Sequence, residues 1–493
     1  MVARASTPVG NLDGDALGVV DQAGMVALAG RGWSLDWWIG ADDRWHRPAQ
    51  EATLRQGLVG ASPVVETRVR VPGGDAVQRV YAARGPSGED ALVVEVQNGT
   101  TLPFALALSL RGRIGDLELR GSTVLIDNEV VMELPGPPGR VALGTATAGD
   151  ATDEVLAGRA TERSAGAVHC PEGLATGALL FPVAHSAALR VVLPVARSGR
   201  VDPRRLPSAD QVASGWAVQS RRGARFDVPD LRWQEAITAS IRYLLLASHE
   251  PRLASALDLM GFADEAGAAL LADPVATART DTPGAMLHAV AWHWYLTRDH
   301  GCARDATPLV AALVGGLGGS EVADDDRALG HAALPLAAAM LEAAGESLAA
   351  SDVRALMRPT PPCLAPPDPA IRLATASSTW TWCDCSTPHD LTANAALLAD
   401  VRRMLVLEQA DGVALSPVVP DAWLGRGWEV HDAPTGAGRL SYAVRWHGDR
   451  PALLWELVPH ADLPATRLSA PELDRGWSTL APHGEALLAP RAS

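Results

Sequence analysis

Lysine is missing from this 493-residue sequence, and all 42 of its basic residues are arginine. That excludes chemistry built on an ε-amine: a P-loop lysine, a pyridoxal-phosphate Schiff base or the phosphate-binding lysine of protein kinases. Cysteine is scarce and odd in number, at Cys170, Cys302, Cys363, Cys383 and Cys385, which argues against a disulfide framework. No stretch of about 18 residues is both apolar and uncharged, so no membrane span is expected. Even Ala328 to Ala344 is interrupted by His331, Pro335 and Glu342. Met1 to Gly10 lacks the apolar core and cleavage site of a signal peptide, and a cytoplasmic setting is expected. Positive charge is also short: 57 acidic residues leave a net charge of −15, which disfavours nucleic acid and anionic membranes as partners.

What is present divides into three parts. Residues 1–226 read as a β-sandwich, with runs such as Val64 to Val71, Ala91 to Val96, Thr123 to Ile126, Val130 to Leu134, Ala188 to Leu193 and Trp216 to Gln219 between turn signals. Residues 227–411 read as helical hairpins. Asp230 is placed to cap the first helix, and further segments lie near 252–260, 262–272, 283–298, 305–317, 325–344, 347–357 and 388–407. Pro335 should kink or split the sixth of these, and Pro359 to Pro369 reads as an exposed linker. Residues 412–493 return to strands as a small β-domain, with a hairpin around His447-Gly448-Asp449.

Four strings carry a resemblance. Arg225-Phe226-Asp227-Val228-Pro229-Asp230 before Ile241-Arg242-Tyr243-Leu244-Leu245 looks like the start of a first toroid helix. Ala256 to Ala266 looks like one of its hairpins, and Ala291-Trp292-His293-Trp294-Tyr295-Leu296-Thr297-Arg298-Asp299 looks like an inner helix. Asp421-Ala422-Trp423-Leu424, with Ala433-Pro434-Thr435-Gly436, looks like the start of a C-terminal β-domain. With this order of parts, the chain resembles the six-hairpin glycosidase superfamily, an (α/α)6 toroid behind an N-terminal β-sandwich. The eight helical segments are fewer than a closed ring of six hairpins takes.

The resemblance implies a glycoside hydrolase-like protein acting on, or binding, an α-glucan or related oligosaccharide. It implies no cofactor. Inverting hydrolysis needs an acid and a base carboxylate roughly 6.5–9.5 Å apart. Asp281, just before the helix at 283, is the expected acid, and Asp384 or Asp390 the expected base. Each also has an ordinary structural explanation, Asp281 and Asp390 as helix N-caps. Trp292, Trp294, His293, Trp380, Trp382 and His389 are the expected sugar-binding residues, because indole faces pack on the apolar faces of pyranose rings. Trp292 and Trp294, two apart, cannot share a helix face, so one belongs to the core. His288 and His331 are further cavity candidates, and Trp33, Trp37, Trp38 and Trp45 offer a second platform, with core packing as the alternative. Cys383, Cys385 and His389 lack the second ligand pair of a zinc site, so no metal is expected. The competing readings are a catalytically inactive glycan-binding or scaffold protein and an open helical solenoid.

Overall fold

The computed structural model describes residues 5–14, 16–162, 165–196, 201–357, 383–384, 390–461 and 463–490. The architecture is mixed α and β: N-terminal sheets, a central run of helices and C-terminal sheets. The chain forms two compact units, Met1–Val218 with Thr381–His389, and Gln219–Trp380 with Asp390–Ser493. The Pro359 to Pro369 stretch, Trp380, Trp382, Cys385 and His389 lie outside the described residues. No helix among the described residues is long and apolar enough to cross a membrane.

The first unit is a sandwich of two nine-stranded sheets. Strand Val65–Val71 shows why it forms: Val65, Thr67, Val69 and Val71 point inward, while Glu66, Arg68 and Arg70 alternate outward. Outside, Glu66 lies opposite Arg79 on the neighbouring strand and accepts a 2.8 Å hydrogen bond from its Nε. Inner-face residues of both sheets, including Leu35, Trp37, Leu106, Val80, Leu92 and Val94, merge into one core. Helix α1 (Ala151–Leu156) covers Trp38 on an outer face. Trp216 to Gln219 is not a strand but part of α2 (Ala209–Ser220). Four residues cannot reveal a period, whereas Ala209, Val212, Ala213 and Trp216 together follow the helical one.

Among the described residues, ten helices follow in the second unit. They are α3 (Leu231–Leu246), α4 (Ala254–Leu259), α5 (Ala263–Leu271), α6 (Pro274–Ala278) and α7 (Pro283–Thr297). Then come α8 (His300–Asp305), α9 (Thr307–Gly316), α10 (Asp324–Ala343), α11 (Ser347–Ala355) and α12 (Leu391–Leu405). The expected Asp230 cap is present, accepting from the Arg232 and Trp233 amides. Pro335 does not split α10, which runs unbroken past it. The proline ring sits on the exposed side, while Ala333, Leu334, Ala337 and Ala338 hold the opposite face in the core.

Helices α7 and α10 meet backbone to backbone. A Cβ on Gly284 would lie 1.8 Å from the Asp326 carbonyl oxygen, and one on Gly330 would lie 2.9 Å from the Gly284 Cα. The approach lets Asp326 accept from the Gly284 and Ala285 amides at 2.8 Å each, so α7 is capped from another helix.

The C-terminal strands belong to the same compact unit as the helices. Strand Arg225–Asp227, just before α3, pairs with Trp428–Thr435 in a five-stranded sheet, and a four-stranded sheet completes the unit. The expected hairpin is present as Gly438–His447 and Arg450–Pro459. Arg298 donates to the Gly436 carbonyl and His460 to that of Leu296, tying the end of α7 to these strands.

Candidate functional site

The helical unit leaves a cavity of about 320 Å³ between α4, α7 and α12. Its floor is the small-residue face of α12, where Ala395, Ala396 and Ala399 recur at helical spacing. One wall is His288 and Trp292 of α7, one turn apart, with rings 5.5 Å apart and nearly parallel. Ser255 and Thr392 bring hydroxyl groups, and Arg252 and Arg403 bring exposed guanidinium groups.

At the end of α12 the fully buried Arg402 donates to Glu408 at 2.7 Å and to the Pro434 carbonyl at 2.6 Å. It also bonds the Val406 carbonyl, so it joins the helix to the strands. Burial, with the charge of Arg403, pushes His288 down to about 4 and leaves a neutral imidazole beside Trp292. A half-buried indole, an uncharged imidazole, hydroxyls and guanidiniums together suit a ligand with apolar faces and many hydroxyl groups.

Only some of the expected site residues meet here. Trp292 lines the cavity, whereas Trp294 is buried on the other side of α7 under Arg298. His293 is buried and bonded to Asp258, whose Oδ1 lies 2.8 Å from its Nδ1. Asp281 is exposed in the loop before α7, and the N-cap position falls to Thr282, whose side chain makes no capping bond. The capping alternative for Asp281 is therefore corrected, because Asp326 already takes those amides. Asp390 caps α12, accepting from the Ala393 amide at 2.8 Å. Asp384 pairs through its backbone with Ala5 in the first unit. Trp33, Trp37 and Trp38 are buried in the sandwich, as the core-packing alternative expects, while Trp45 is half-buried. His331 is half-buried in α10, with its Nδ1 lacking a partner.

The residues that sequence reasoning passed over are Arg402, Arg403, Glu408, Ser255 and Thr392. The signal was available for one face: positions 392, 395, 396, 399, 402 and 403 follow the helical period.

A second cavity, of about 560 Å³, is lined by Arg221, Thr297, Asp432, Arg439 and His460 near the C-terminal strands. Among the described residues, one group, Asp227, Glu429 and His431, has metal-type donors close together. Arg225 binds Asp227 and Arg445 binds Glu429, so both carboxylates already have cationic partners.

No protein-family model matches the chain, and no curated protein matches it. Among solved structures it is similar to the GH78 family rhamnosidase of Bacillus sp. GL1, with 10% sequence identity and a TM-score of 0.34. That likeness covers 70% of this chain and 51% of the rhamnosidase, so the chain spans about half of that protein.

Proposed function

We propose that the protein is carbohydrate-active and binds an oligosaccharide, an α-glucan or a related glycan, in the cavity between α4, α7 and α12. The observation that supports this reading best is the half-buried Trp292, stacked on a neutral His288 and facing an alanine floor. The indole is packed against both His288 and Tyr295, with ring centroids 5.5 and 5.1 Å away, and its exposed part offers apolar surface to a pyranose ring, while the flanking hydroxyl and guanidinium groups offer hydrogen bonds. The order of parts supports a scaffold of the six-hairpin glycosidase type.

Binding is favoured over hydrolysis by one further observation. Among the described residues lining the cavity, the carboxylate is Glu408, and Arg402 already holds it. If the protein does hydrolyse a glycan, Asp281 as acid with Asp384 or Asp390 as base is the proposed assignment.

A panel of α-glucan and related oligosaccharides, measured for both binding and cleavage, tests the proposal. At least one should bind, and Trp292→Ala should weaken it about tenfold or more, equivalent to roughly 1.4 kcal/mol, with folding retained. Binding unchanged by Trp292→Ala would move the site elsewhere, and no binding across the panel would end the carbohydrate reading. Cleavage by the wild type would restore the enzyme reading.

A further inference from the structure

The cavity of about 560 Å³ shares no described lining residue with the proposed glycan cavity, and its wall carries charges that the fold does not pair. Arg221, Asp432 and Arg439 all line it. Among the described residues, none of these three side chains has a hydrogen-bond or ion-pair partner. Each is carried by fixed backbone. Arg222, next to Arg221, is tied to Asp264 and Glu265 at 2.9 and 2.8 Å, and the Ala224 amide donates to the Met260 carbonyl at 2.7 Å. Arg439 lies in strand Gly438–His447, opposite Val458. Asp432 sits in a β-bulge with a φ of 54°, a left-handed conformation that aspartate tolerates, and its amide donates to the Ser441 hydroxyl.

A buried acceptor completes the wall. Asp258 lines the same cavity, and its side chain is fully buried. Its Oδ1 lies 2.8 Å from His293 Nδ1, whereas its Oδ2 has no hydrogen-bond partner among the described residues. A buried carboxylate oxygen in that state favours a donor that reaches it. His293 is protonated near neutrality, so the Asp258–His293 pair is neutral as a whole. His460 donates through Nε2 to the Leu296 carbonyl at 3.0 Å.

These groups define a ligand by complement. Guanidinium groups only donate and carboxylates only accept. Among the described lining residues, the unpaired charges are two positive and one negative, and a ligand with one net negative charge balances them. Arg221 and Arg439 call for a carboxylate, which matches the guanidinium fork, while Asp432 and Asp258 Oδ2 call for hydroxyl donors. An amino acid cancels its own charge, and a plain dicarboxylate brings no donor. We propose that this cavity is a second binding site, for a hydroxylated monocarboxylate of monosaccharide size, a sugar acid. The chain's net charge of −15 repels anions at long range, so capture depends on the two arginines.

The test is isothermal titration calorimetry on the full chain with glucuronate as probe, beside glucose, threonine and succinate. Glucose lacks the carboxylate, threonine is a hydroxylated zwitterion, and succinate lacks hydroxyl groups. Glucuronate should bind about tenfold or more tighter than each of the others. Arg439→Gln and Arg221→Gln, with folding checked by circular dichroism, should each weaken glucuronate binding about tenfold. No binding of glucuronate, equal binding of any of the other three, or binding unchanged in either folded variant would each overturn the proposal. The wild-type comparison decides even where a variant does not fold.

Discussion

The sandwich and the helical unit use tryptophan in opposite ways. In the sandwich, Trp37 is wholly buried and its Nε1 donates to the Ala23 carbonyl, so the ring is filler whose one polar atom is satisfied. In the helical unit, Trp292 is left half-buried against open space. The difference follows from the geometry of the two layers. Facing sheets with strict alternation interdigitate along their whole length, whereas cylinders in contact leave gaps where small residues line one face. A tryptophan-rich segment is therefore a better pointer to a ligand on a helix than on a strand whose alternate residues face a core.

Substitution should expose that contrast most strongly. Trp37→Ala should lose about 3–5 kcal/mol of stability in chemical denaturation, as a large buried ring is removed. Trp292→Ala should lose far less stability and act on ligand binding instead. Equal losses would erase the distinction between the two regions.

A smaller effect is expected where helices replace side chains with bare backbone. Gly284→Ala would press against the Asp326 backbone and should cost about 1–3 kcal/mol. Asp326→Ala should cost about 1–2 kcal/mol through loss of the shared cap, while Asp281→Asn should leave stability unchanged. A clear loss in Asp281→Asn would return the capping role to the loop.

A further comparison separates two histidines of one helix. His293 holds its proton in the folded state up to about pH 10, well above its ordinary 6.5. Its contribution to stability is complete below about pH 6.5 and is lost as pH rises through 10. His288, pushed down to about 4, does the reverse: its contribution is intact above about pH 6.5 and is lost as pH falls toward 4. NMR titration of the two imidazoles should place their midpoints on opposite sides of neutrality, and coincident midpoints would refute the assignment.

Much of this fold could be read from residue order. The alternation in Val65–Val71 and the hairpin around Gly448 follow local rules, and each appears where expected. Helices α6 and α8 went unread because, at five and six residues, neither repeats a 3.6-residue period. Their signals were instead the Asp273 and Asp299 caps, residues that also begin ordinary turns. Pro335 misled because a local rule cannot see the core that grips the other side of its helix. The site was legible in fragments. Spacing showed that Trp292 and Trp294 part ways, but not which one meets open space. Arg402 went unread, and only its acceptors in the folded chain, Glu408 and the Pro434 carbonyl, explain its burial.

The backbone contact at Gly284 also governs how the cavity can change. Helix α7 is pinned near its start by α10, and near its end Arg298 holds it to the Gly436 carbonyl. Trp292 stands eight positions beyond Gly284, about 12 Å of rigid rise, so the indole has little freedom to travel. Helix α12 opposes it with alanines, the side chains most easily enlarged. The cavity is thus a fixed wall facing a replaceable floor, and the size of the space is set by what stands at 395, 396 and 399. A serine or valine there would retailor the fit while leaving the wall in place.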